Sequence, residues 1–148
     1  FITCNDTGQQ PPFNELFLLG GANSLRGFDW FTVGRRKLSQ RALNAAVSDP
    51  DPMASAYRPF GGTQEIYYNL EFQFPLLKEA DIKGVVFYDI GDANDYLTLD
   101  NLRSDVGFGF RWFSPIGPLR FEWGFPINPR PEYKETGVNF QFAIGPNF

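Results

Sequence analysis

Residues 64–77 read QEIYYNLEFQFPLL, and within them apolar and polar side chains alternate with a period of two. Successive side chains of a strand point to opposite sides. Ile66, Tyr68, Leu70, Phe72, Phe74 and Leu76 therefore share one face, and Glu65, Tyr67, Asn69, Glu71 and Gln73 the other. Four later runs repeat the pattern. Near residues 82–92, Ile82, Val86, Tyr88 and Ile90 stand against Lys83, Val85, Phe87, Asp89 and Gly91, a second face that is only partly polar and calls for something apolar packed on it. Residues 103–114 set Val106, Phe108, Phe110 and Trp112 against Asp105, Gly107, Gly109 and Arg111. Residues 118–127 set Leu119, Phe121, Trp123 and Phe125 against Arg120, Glu122 and Gly124, and residues 136–148 set Val138, Phe140, Phe142 and Ile144 against Asn139, Gln141 and Ala143.

Each run has about the 9 to 11 residues that a tilted strand needs to cross a bilayer, the first being somewhat longer. The connections alternate too: 77–81 and 114–118 are short, whereas 92–102 and 128–136 are longer and polar. Outer-membrane barrels have short periplasmic turns and longer external loops in the same alternation. A soluble antiparallel sheet also alternates, but five rows this aromatic need a second layer to cover them, and residues 1–63 offer little alternating or helical material from which to build one. The expected fold is an all-β, antiparallel transmembrane barrel. Five strands cannot close one, since a sheet in lipid tolerates no open edge and bacterial single-chain barrels begin at about eight strands. The sequence is therefore read as an excerpt, with missing strands or further copies completing the wall. Its opening at Phe1, without Met, a cationic leader or an apolar signal stretch, fits the same expectation.

Composition narrows the function. Among 148 residues aromatics make up 18%, with 17 Phe, yet no stretch approaches the roughly 18 consecutive apolar residues of a spanning helix. The 15 Gly and 12 Pro are dispersed, as suits a chain rich in turns rather than a disordered one. A net charge of −4 offers no basic surface for a phosphate backbone, so no nucleic-acid partner is expected. With no His, a single cysteine (Cys4), no nucleophile elbow and no phosphate-binding glycine loop, an enzyme is not expected either, nor a cofactor or metal. The basic residues Arg35, Arg36, Lys37 and Arg41 read as a solvated external loop, and Leu38 to Val47 could form a helical turn or two.

Two motifs point further. Gly20-Gly21-Ala22-Asn23-Ser24-Leu25-Arg26-Gly27-Phe28 places one arginine after a glycine pair, and on spacing alone it could be an ordinary external loop. Glu135-Thr136-Gly137-Val138-Asn139-Phe140-Gln141-Phe142 combines a polar residue, a glycine and alternating large apolar residues, and the chain closes on Phe148. The first segment closely resembles the arginine-glycine-aromatic signature of the inward-folded sixth external loop of the BamA superfamily. Phe87-Tyr88-Asp89-Ile90-Gly91 is similar to that family's aspartate-glycine motif, Glu71 sits where the family places a second lumenal acid, and the final run looks like the β-signal of outer-membrane proteins.

The resemblance covers about Phe13 to Phe148. It implies five C-terminal strands of a larger, about sixteen-stranded barrel, with residues 1–63 as the external loop segment. It also implies that Arg26, with Gly27 and Phe28 beside it, folds inward to meet Glu71 and Asp89 near Gly91. Parity independently puts both acids on the polar face. Counting assigned inward positions gives Lys83, Arg103, Arg111 and Arg120 against Glu65, Glu71, Asp89, Asp105 and Glu122, and adding Arg26 makes five of each sign. In the family the last strand pairs weakly with the first; Gly145 matches the position of its inward kink, and Pro146 has no N–H to donate. The function implied is folding and insertion of β-barrel proteins at a lateral seam formed by Gly137, Phe140, Phe142, Gly145 and Phe148. Nascent outer-membrane proteins, outer-membrane lipids and lipopolysaccharide, and accessory assembly lipoproteins would be its partners. A polypeptide-exporting transporter of the same superfamily and a passive outer-membrane pore remain the alternatives.

Overall fold

The computed structural model describes residues 12–115, 117–130, 133, 135 and 137–145. Its main body is a five-stranded antiparallel meander, in which each strand pairs with the next in sequence. β3 (Gln64–Leu77), β4 (Ile82–Asn94), β5 (Arg103–Ser114), β6 (Gly117–Pro126) and β7 (Asn139–Ile144) follow a small hairpin of β1 (Arg36–Leu38) and β2 (Tyr57–Pro59). That hairpin carries two short helices, α1 (Gln40–Ala45) and α2 (Pro52–Ala56), between its strands. Ser39 caps α1 by accepting a hydrogen bond from the Ala42 amide, as a residue with a short side-chain oxygen does at a helix start.

The strand bounds follow the alternation, β6 lying one residue earlier at each end than the expected 118–127, with two larger differences. β4 runs on to Asn94, two residues past the end of the expected segment, because its last residues still pair with β3 through Gln64–Asn94 and Glu65–Ala93. The last strand is shorter than the expected 136–148: it begins at Asn139 and ends at Ile144. Gly137 and Gly145 bracket it with φ of +106° and +139°, backbone angles that break an extended run and that glycine adopts readily. Thr136, Pro146 and Phe148 lie outside the described residues.

The sheet is apolar where a water-soluble protein would be polar. Outward-facing Leu70, Phe72, Phe108 and Phe140 are all more than half exposed, whereas inward-facing Asp89, Asp105 and Glu122 are fully enclosed. At roughly 3.3 Å per residue, the 10 to 14 residues of β3 to β6 reach about 33–46 Å, and a tilt of about 40° brings this to about 25–35 Å, the thickness of a hydrocarbon core. Rings form a continuous band across three strands on this face: Phe110 with Phe121 at 4.8 Å, Phe121 with Phe142 at 5.0 Å, and Trp123 with Phe140 at 5.2 Å between centroids.

The buried apolar cluster lies not between layers of sheet but inside the folded loop. Leu19, Leu25, Phe28 and Val33 pack with Ala93 at the upper end of β4, and Phe17 leans on them. Antiparallel bridges from Leu19 to Val33 and from Phe17 to Gly62 close the base of this loop. The basic stretch differs from the expected solvated loop. Arg35 pairs with Asp95, Lys37 stacks 3.6 Å from the centre of the Phe60 ring, and the Arg36 side chain is 8% exposed against Glu135. β1 pairing with β2 holds Arg35 and Arg36 against the molecule, whereas Lys37, exposed beside the Phe60 ring, and Arg41, exposed on α1, keep the expected setting.

Candidate functional site

The glycine pair starts the site. Gly20 and Gly21 adopt φ of +114° and +96°, and the Gly21 amide reaches both the Leu25 and Phe28 carbonyls at 3.0 Å, while the Gly20 amide donates to Ser24 Oγ at 2.8 Å. A Cβ on Gly20 would stand 2.2 Å from the Asp29 carbonyl oxygen. The tight turn so made projects Arg26 from the loop onto the polar wall of the sheet.

There its guanidinium meets Asp89 side-on, with Nε to Oδ2 at 2.8 Å and Nη2 to Oδ1 at 2.7 Å, and the Arg26 backbone amide also donates to Oδ2 at 3.2 Å. Two parallel bonds of this kind match the fork of arginine, which lysine cannot reproduce. Nη1 donates to Glu71 at 2.8 Å and to Glu122 at 3.4 Å. The same plane lies 3.6 Å from the centre of the Phe87 ring. The partly apolar face of β4 is thus covered by a cation over an aromatic ring rather than by the apolar partner its sequence calls for.

A second tier supports the acids. Arg111 donates to Glu71 at 2.7 Å and to Glu122 at 3.4 Å, Arg120 lies 3.7 Å from Glu122 and donates to the Ala22 carbonyl, and Asn69 binds Asp89 at 2.7 Å while reaching the Ser24 carbonyl. Burial by itself opposes the charge on Arg26, but the hydrogen bonds and charge of Asp89, with those of Glu122 and Glu71, hold its pKa above the ordinary arginine value. At Arg36 burial prevails over the nearby Glu135 and lowers the pKa.

Close approach is built into the floor. A Cβ on Gly27 would stand 2.4 Å from Asp105 Cβ, and one on Gly124 would stand 2.6 Å from the Arg26 carbonyl oxygen and from Gly27 itself. Loop and sheet therefore touch backbone to backbone. Phe28 is enclosed in the loop cluster, and Arg103 sits 5.2 Å from its ring.

The structure brings Arg26, Glu71 and Asp89 together, with Gly27 and Phe28 beside them. It places Gly91 elsewhere: this glycine faces β3, where a Cβ would meet Ile66 and Tyr67. Phe140 and Phe142 point outward from β7, while Gly137 and Gly145 flank that strand in open surroundings. Glu122, Arg111 and Asn69 belong to the arginine cluster although no quoted motif contains them, and Phe87, which opens the aspartate-glycine motif, supplies the ring beneath the guanidinium. Inward parity marks all four; what it lacks is how far along the wall the loop reaches. Among the described residues, no group of acids, cysteines or histidines is arranged to hold a metal ion.

Comparison with known proteins decides the family. Residues 2–148 match the model of the Omp85 superfamily domain. The chain belongs to the Omp85 superfamily. Among its Omp85 relatives is the outer membrane protein assembly factor BamA of Nitratidesulfovibrio vulgaris, 31% identical over 97% of this chain and 17% of that protein. The factor of the same name from Neisseria meningitidis serogroup B is 25% identical over 93% of this chain and 19% of its own length. The crystal structure of BamA from Haemophilus ducreyi lacking POTRA domains 1-3 superposes with a TM-score of 0.66 at 26% identity, covering 91% of this chain and 27% of that one. This Omp85 chain thus spans about a fifth of the curated relatives it matches. It is a five-strand portion of a larger antiparallel barrel of the bacterial outer membrane.

Proposed function

We propose that this Omp85 segment works in outer-membrane protein assembly, as part of a barrel that helps nascent β-barrel proteins fold and insert. The names of its relatives support the process, and one observation favours a mechanism. Among the described residues the ladder between β6 and β7 has six partner pairs, from Leu119–Ile144 to Gly124–Asn139, whereas β3 and β4 share thirteen. A strand held by few pairs is more readily displaced from its sheet, and a strand edge left unpaired can template an incoming strand. Assembly by such templating requires no covalent chemistry and no cofactor. Outer-membrane lipids and lipopolysaccharide against the aromatic band, and accessory lipoproteins, complete the proposed set of partners.

Reconstitution tests the reading. Liposomes carrying the protein should fold an eight-stranded client barrel faster than lipid alone, as read by the gel-mobility shift of folded barrels. Steady single-channel conductance combined with client folding at the lipid-only rate overturns the proposal in favour of a passive pore.

A further inference from the structure

Gly27 lies over Gly124, and Gly124 is the partner of Asn139 in the β6–β7 ladder. From there the Asn139 side chain reaches back, Nδ2 donating to the Gly27 carbonyl at 2.6 Å. Asn139 is also the first residue of β7, so the bond falls where the strand enters the sheet. Four residues earlier a second tie joins the same two parts of the chain. The Glu135 carboxylate takes Arg36 of β1 at 3.4 Å together with Arg103 at the start of β5, and it caps the Arg130 amide at 3.1 Å. Between the two ties Gly137 turns at φ +106°. A small polar cavity separates loop from strand here, lined by Gly27, Thr32 and Arg36 on one side and Glu135, Gly137 and Asn139 on the other. Polar anchors join them, beside an edge contact between Tyr57 and Tyr133.

Asparagine is a poor strand former, and a neutral side-chain bond is worth only about 1 kcal/mol. Against the six pairs that the described residues of this ladder make, that is a sizeable share of what holds the start of β7. We propose that Asn139 and Glu135 are positioning residues that couple the seating of the Arg26 loop to the order of the last strand. With the loop seated, the start of β7 is pinned; with the loop withdrawn, Asn139 loses its acceptor and the first pairs of the ladder loosen. Coupling of this kind is reciprocal, so freeing the strand must also loosen the loop. It goes beyond the assembly reading and does not need a client protein to be observed.

Hydrogen exchange followed by mass spectrometry, on the protein in lipid bilayers, tests it. Asn139→Ala should raise exchange about fivefold both at residues 139–142 and in the loop at residues 24–28, the ratio expected for one lost hydrogen bond. Asn139→Gln, which keeps a donor amide, should restore most of the protection at both places. Arg26→Ala should loosen 139–142 together with the loop, and adding Asn139→Ala to it should change 139–142 little further. A loop opened by Arg26→Ala with 139–142 still exchanging at the parent rate overturns the proposal. So does an Asn139→Ala protein whose last strand loosens while its loop does not.

Discussion

Arg26 is the residue on which the loop depends, because its charge is enclosed and compensated at several points at once. Removing one member of a buried charged pair leaves the other stranded, at a cost of about 3–5 kcal/mol. Arg26→Ala should therefore expose the loop to protease, and Arg26→Lys should recover only part of the protection, since an ammonium cannot bind both oxygens of Asp89 while also reaching Glu71. The measurement is the cleavage rate within residues 19–33 in intact membranes. Equal protection of the lysine variant and the parent would show that charge alone, not the fork, seats the loop. Added salt should change the parent rate little, because the Arg26 side chain is 5% exposed and Asp89 is fully enclosed, out of reach of screening ions.

At the scale of the element, the face of each strand decides how it tolerates change. Phe121 stands in the middle of β6 between Phe110 and Phe142. Phe121→Lys should destabilise the barrel by about 2–4 kcal/mol in denaturant titrations of lipid-embedded protein, the cost of a cation at mid-membrane. The same change at Tyr96, 82% exposed in the loop between β4 and β5, should stay within about 0.5 kcal/mol. Strand positions were legible in the sequence because a two-residue period is a strictly local signal, and the acids on the polar face were legible for the same reason. Val85 and Phe87 broke the alternation, and only the fold shows that a guanidinium covers the ring. Arg26 could be linked to Asp89 through resemblance, whereas Glu122 and Asn139 could not, since their contacts depend on how far the loop crosses the sheet. The ends of β7 escaped because Gly137 and Gly145 look like ordinary members of the run until their backbone angles are known.

For the whole molecule, the inverted distribution of polarity fixes which parts meet lipid. The three tryptophans sample it: Trp112 and Trp123 lie on the apolar face of the sheet, and Trp30 lies half-exposed on the folded loop. Lipids brominated along their chains should quench most of the emission of the parent protein. A variant with Trp112→Phe and Trp123→Phe, emitting from Trp30 alone, should be almost unquenched. Strong quenching of that variant would mean that the loop faces the bilayer rather than the interior.

The same loop bears on the order in which the chain can be completed. Arg26 precedes its partners by 45 residues at Glu71, 63 at Asp89 and 96 at Glu122. The arginine is thus synthesised long before any carboxylate that neutralises it, and it cannot settle until β3, β4, β5 and β6 stand side by side. Contacts so distant in sequence form slowly, because a long stretch of chain must first be closed. The guanidinium is therefore expected to act as a late clasp, the wall zipping together first and its correct completion allowing the loop to come to rest.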